Sequence, residues 1–92
     1  MNKYEIMFIV KPNVEEEAKT ALIESLTSIL TNGEGTVSVN EWGLRDLAYE
    51  IKDFKKGYYV VVDTETTADN VHEFDRKARI NANVLRHLTL RK

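Results

Sequence analysis

The sequence predicts an α+β domain of order β-α-β-β-α-β: a four-stranded antiparallel sheet with two helices on one face, the ferredoxin-like sandwich. Three observations carry that expectation. Two stretches repeat apolar residues at helical spacing, whereas four others alternate or run apolar over strand lengths. Each helical stretch stands between two strand stretches, which makes two split β-α-β units. The first and third strands are apolar on both faces, as suits the middle of a sheet covered on both sides. With 92 residues, the chain fits one domain over residues 1–92 and leaves no room for a second core.

The elements follow in order. Residues 3–10 form the first strand, with Tyr4, Ile6, Phe8 and Val10 on one face and Glu5, Met7 and Ile9 on the other. Lys11-Pro12-Asn13 stops it. Asn13 and Glu16 have capping-box spacing, and Glu15 to Glu17 suit the positive end of a helix dipole. Val14, Ala18, Ala21, Leu22, Ser25, Leu26, Ile29 and Leu30 then recur at helical spacing until Asn32-Gly33 offers a left-handed exit. A second strand runs from Thr36 to Trp42 and resumes over Leu47–Ile51, with Gly43 marking a bend or bulge. Lys52 to Gly57 reads as a charged turn, and Tyr58 to Val62 as the third strand. Thr66 and Asp69 form a second capping box ahead of a helix carrying Val71, Phe74 and Ala78. Asn81-Ala82-Asn83 turns the chain into a last strand, Val84 to Arg91.

Helices on one side leave the other side of the sheet open. Met7, Ile9, Tyr59 and Val61 lie opposite Tyr4, Ile6, Phe8, Tyr58 and Val60, so either set would leave apolar area on the open face. Such a surface calls for a partner, and Met7, Ile9, Tyr59 and Val61 are the candidates for it. On the last strand, Arg86 alternates with Val84, Leu88 and Leu90, one cation within an otherwise apolar side.

Composition narrows the chemistry. There is no Cys, which excludes disulfides, thiolate metal sites and Cys nucleophiles. The longest apolar run, Ile6 to Val10, is far too short to span a membrane, and residues 1–13 lack a signal-peptide layout, so a cytoplasmic protein is expected. His72 and His87 have no second ligand at metal spacing. Glu15, Glu16 and Glu17 fan out around a helix and cannot converge on one atom. The serines have no nucleophile elbow, and Gly33-Glu34-Gly35 follows a helix instead of opening one, the wrong context for a phosphate loop. The expectation is a non-enzyme without metal, cofactor or small-molecule substrate.

Charge is more informative. The net value is −2, yet six of the 13 basic residues and none of the 15 acids lie from Arg76 onward. Residues 1–75 then carry −8 and residues 76–92 carry +6. A local basic surface is compatible with those numbers, whereas avid autonomous nucleic-acid binding is not. Lys56-Gly57-Tyr58-Tyr59-Val60-Val61 opens like the RNP1 element of an RNA-recognition motif. It lacks that element's central and final aromatics, and Asp63 stands where the last would be.

The stretch Gly43-Leu44-Arg45-Asp46-Leu47-Ala48-Tyr49-Glu50-Ile51-Lys52 resembles the signature of the bacterial small-subunit ribosomal protein six family. That signature has a glycine, a basic residue, Leu-Ala-Tyr, one residue, and Ile. Tyr4-Glu5, Gly57-Tyr58, Arg79-Ile80 and Asn83 to Leu88 continue the likeness along nearly the whole chain. The resemblance implies a non-catalytic, ferredoxin-like protein that pairs with small-subunit ribosomal protein eighteen. With that protein it would bind the central domain of small-subunit ribosomal RNA during platform assembly. Asp46 departs from a second basic residue found in many relatives, which weakens that site as a phosphate clamp. The acidic tail of some relatives has no counterpart before Lys92, and tail-mediated contacts are not expected.

Candidate RNA- or partner-binding residues are Arg45, Lys52, Lys55, Lys56, Arg79, Arg86, His87, Arg91 and Lys92. Arg79, Arg86 and His87 match the family pattern, and Arg79, Arg86, Arg91 and Lys92 lie in the acid-free segment. Phosphate or partner contact and plain solvation both remain open for these cations, and solvation is the simpler account for Lys52, Lys55 and Lys56. Tyr49 and Trp42 read as packing residues before base-stacking ones. Two other classes share the fold: a ligand-sensing domain, and a scaffold that buries the open face against its own copy.

Overall fold

A computed structural model describes residues 1–92 and has the expected order: β1 (Asn2–Val10), α1 (Glu16–Leu30), β2 (Thr36–Ile51), β3 (Phe54–Thr66), α2 (Ala68–Ile80) and β4 (Val84–Arg91). The strands form one antiparallel sheet in the order β2-β3-β1-β4, so the two strands apolar on both faces are central. Both helices cover the face bearing Tyr4, Ile6, Phe8 and Val10 of β1 with Val60 and Val62 of β3. From the helices come Leu22, Ile23, Leu26 and Leu30, with Val71, Phe74 and Ala78. The Phe8 and Phe74 rings meet at 5.9 Å and 59°, a tilted pairing favoured by their quadrupoles.

Several local expectations shift. The Asn13–Glu16 capping box does not form, because the turn after Pro12 extends through Val14 and Glu15 becomes the N-cap without a side-chain bond. Glu16 and Glu17 still occupy the first turn, and Glu16 pairs with Lys19 at 2.8 Å. The buried stripe of α1 is Leu22, Ile23, Leu26, Thr27 and Leu30, while Ala18, Ala21 and Ser25 face solvent. Ile23 offers more apolar area than those small residues. Thr27 tolerates burial because its hydroxyl donates to the Ile23 carbonyl at 2.8 Å. The second capping position moves by one residue. Thr66 continues β3 opposite Asn2, so Thr67 becomes the cap and accepts from the Asn70 amide at 3.2 Å.

The β2–β3 hairpin departs most from the expected layout. Lys52 to Gly57 is not one turn: only Lys52 and Asp53 turn, at φ 51° and 70°, and Phe54 already pairs with Ile51. Two central residues with positive φ make the tight connection whose twist suits adjoining strands. Gly43, at φ 86°, sits at the expected bulge, where the register shifts between Glu41 and Gly43. A larger irregularity follows, since Asp46 pairs with Lys56 and Ile51 with Phe54. Residues 47–50 thus oppose Lys55 alone. That surplus bends the hairpin toward the open face. Gly57 is buried beneath it, where a Cβ would stand 2.3 Å from Ile9 Cγ2 and 3.4 Å from Leu47 Cδ2.

Candidate partner and nucleic-acid interface

The open face is built from alternate residues of all four strands. Met7 pairs with Val61 on one side and Leu88 on the other, Ile9 pairs with Tyr59 and Arg86, and Glu5 pairs with Asp63 and Leu90. The expected set is therefore on one surface, with one correction. Ile9 and Val61 are only 4% and 7% exposed, because neighbouring side chains roof them over. Met7 and Tyr59 stay half-buried, and the most exposed apolar side chains on this face are others: Trp42, Tyr49, Leu88 and Leu90 are each more than two-fifths exposed. Alternation of Arg86, Leu88 and Leu90 was the signal for two of them. Val84 does not join that row. The register shifts between Ile9 and Val10, and Val84 turns into the core.

Two apolar hollows lie in this surface, each of about 230 Å³. One is bounded by Ile9, Tyr59, Leu47, Tyr49 and Arg86, the other by Glu5, Trp42, Val61 and Leu90. Met7 and Leu88 line both. The curled hairpin supplies the wall of the first, and the Arg86 guanidinium holds it there by donating to the Tyr49 hydroxyl.

The nine candidate binding residues are not brought together. Arg45 and Arg86 flank the open face, and Arg45 lies 5.1 Å over the Trp42 ring. Lys92 also sits on this side, with Nζ 2.7 Å from Asp63 and 4.0 Å from Glu5. The Asp63 hydrogen bond holds that ammonium above its ordinary pKa. Lys52, Lys55 and Lys56 project from the hairpin, and Lys56 stands 3.9 Å from Asp46. The other three lie on the helix side. Arg79 is exposed in the last turn of α2, and Arg91 donates to Asn2 Oδ1 at 3.0 Å. His87 Nε2 is 3.8 Å from Asp75 Oδ1, which also accepts from the Thr89 hydroxyl at 3.0 Å. No three His, Asp or Glu side chains converge anywhere in the molecule.

The geometry is that of an apolar surface with cations around it, not a cleft with reactive groups. Comparison with known proteins agrees in kind. A profile of the ribosomal protein S6 family matches residues 3–91. The chain is also similar to a crystal structure of 30S ribosomal protein S6 from Thermotoga maritima, at 34% identity and a TM-score of 0.90, covering 99% of this chain and 87% of that one. The shared fold, the length of the match and the level of identity agree, and the chain belongs to the ribosomal protein S6 family of structural proteins of the small ribosomal subunit.

Proposed function

We propose that this protein is a non-catalytic component of the cytoplasmic ribosome that binds the central domain of small-subunit ribosomal RNA jointly with small-subunit ribosomal protein eighteen. The supporting observation is where its cations stand. Lys92 and Lys56 face carboxylates, Arg45 and Arg86 stand on the open face, Lys52 and Lys55 on the hairpin, and Arg79 and Arg91 on the helix side. A chain of net charge −2 whose cations are scattered over several faces presents no dense basic patch from which to displace many counterions at once. A basic partner seated beside it supplies the missing phosphate contacts.

Binding isotherms at several salt concentrations test this reading. The isolated protein is expected to bind the RNA central domain weakly, with a shallow slope of log affinity against log salt. Together with protein eighteen, affinity and slope both rise. Equal affinity of the free and paired protein at physiological salt overturns the proposal.

A further inference from the structure

We infer that Asn32 is a site of spontaneous covalent modification, at which the Gly33 backbone nitrogen closes on the Asn32 side-chain amide and the isoaspartyl product loosens the junction between α1 and β2. The site lies in the α1–β2 turn and does not depend on the partnership proposed above.

The chemistry sets three conditions. The asparagine side chain must be free to turn back on its own chain, the next amide nitrogen must be unengaged, and the residue bearing it must allow close approach. Asn32 is exposed, and its side-chain amide makes no hydrogen bond within the protein. Gly33 is exposed at φ 78°, nothing lies within 4 Å of where a Cβ would stand, and its N–H has no acceptor in the chain. Without a Cβ, that residue leaves its nitrogen unshielded. Once a base removes the Gly33 amide proton, the nitrogen attacks Asn32 Cγ. The N–Cγ bond forms, the Cγ–Nδ2 bond breaks, and Nδ2 takes a proton and leaves as ammonia. Water then opens the five-membered imide at either carbonyl. One opening gives aspartate; the other gives isoaspartate, whose main chain runs through Cβ and Cγ. The balance is one water consumed and one ammonia released, with no change of oxidation state, and either product carries one more negative charge than the starting −2.

No other asparagine meets all three conditions. The Oδ1 atoms of Asn2 and Asn81 accept from Arg91 and the Asn83 amide, and Asn70 Nδ2 donates to both Asn32 and Thr66. Asn40 is held in the β2–β3 ladder, and Asn13 and Asn83 precede valines, whose branched Cβ screens the nitrogen. The two products then differ in what they do to the turn, which is pinned along its length. The Leu30 carbonyl accepts from Thr66 at 2.7 Å, and the Asn32 carbonyl accepts from Asn70 Nδ2 at 2.9 Å. Gly35 packs so closely that a Cβ there would collide with the Leu30 carbonyl oxygen, and Thr36 is already paired with Glu65. Aspartate keeps the chain length and these contacts. Isoaspartate lengthens the main chain by one carbon inside the pinned span and turns the carbonyl held by Asn70 into a free carboxylate.

The test is ageing of the purified full chain at mildly alkaline pH, folded and in urea. Peptide mass mapping reads which asparagine has gained one dalton, and methyl transfer from labelled S-adenosylmethionine by an isoaspartate-specific carboxyl methyltransferase reads the isoaspartate. Asn32 is expected to carry most of the conversion in the folded protein, at a rate within tenfold of that in urea. Asn32→Gln, which would have to close a six-membered ring, keeps the fold and loses most of the methyl-accepting signal. The isoaspartyl form, separated by ion exchange, is expected to melt several degrees below Asn32→Asp, which has the same charge on an unextended chain. Conversion mainly at other asparagines, protection of Asn32 by folding of more than tenfold, or an undiminished signal in Asn32→Gln overturns the site. An isoaspartyl form that melts with Asn32→Asp overturns the loosening of the junction.

Discussion

Replacing Thr66 by valine should cost about 2–3 kcal/mol of folding stability, although the two side chains have nearly the same shape. Thr66 is fully buried at the end of β3, and its hydroxyl donates to the Leu30 carbonyl at 2.7 Å. That carbonyl belongs to the last turn of α1, where acceptors have no partner within the helix. The same hydroxyl accepts from Asn70 Nδ2 at 2.9 Å, so one oxygen joins the end of α1, the end of β3 and the start of α2. Valine removes a net hydrogen bond of about 1 kcal/mol and leaves a buried acceptor unmet, a further 1–2 kcal/mol or so. Asn70 loses less, because its Nδ2 also donates to the Asn32 carbonyl at 2.9 Å. The control is Thr66→Ser, which keeps the hydroxyl and drops one methyl, for about 1 kcal/mol. Urea unfolding followed by circular dichroism separates the two, and the valine variant should melt roughly 10–20 °C lower than wild type. A valine variant as stable as wild type, or a serine variant weaker than the valine one, refutes this account.

Two further outcomes follow from packing and from titration. Gly57→Ala should destabilise by about 1–3 kcal/mol, since its Cβ would meet Ile9 Cγ2 at 2.3 Å. Ile9→Leu lacks that Cγ2 methyl, so the double variant should recover part of the loss in a denaturant-based mutant cycle. Tyr58 donates to Glu41 Oε1 at 2.7 Å, and this bond, with burial and the nearby Glu41 and Glu16 carboxylates, pushes its phenol up to about 12. The folded value lies above the unfolded one near 10, so the associated stability is intact below about pH 10 and lost as pH rises toward 12. Denaturant midpoints between pH 9 and 12 should fall more steeply for wild type than for Tyr58→Phe.

The fold was legible where periodicity governs. The alternation of Tyr4, Ile6, Phe8 and Val10 against Met7 and Ile9, and the spacing of Val71, Phe74 and Ala78, place these residues where the structure has them. Local signals misled where tertiary contact overrides them. Thr66 has the sequence of a cap but pairs with Asn2, and its hydroxyl is taken by the core-facing Leu30 carbonyl. Lys52 and Asp53 turn without the glycine that usually marks a two-residue tip, so the turn was read too long, through Gly57. The candidate surface was half legible. Its central residues could be named from period-2 alternation, but which of them stay accessible depends on the curl of residues 47–50. That curl arises from a mismatch between two strands and is invisible in either one alone.

That mismatch also governs how free molecules treat one another. β2 is a 16-residue edge strand, long enough to template growth of one sheet onto the next. Its ladder stays in step only from Thr36 to Glu41 before the bulge at Trp42, and again from Gly43 to Asp46 before the surplus residues. A neighbouring chain trying to add a strand would run out of matching donors and acceptors within about six residues, on an edge whose bulges also change its twist. The irregular hairpin therefore acts against edge-to-edge aggregation while the protein is unassembled.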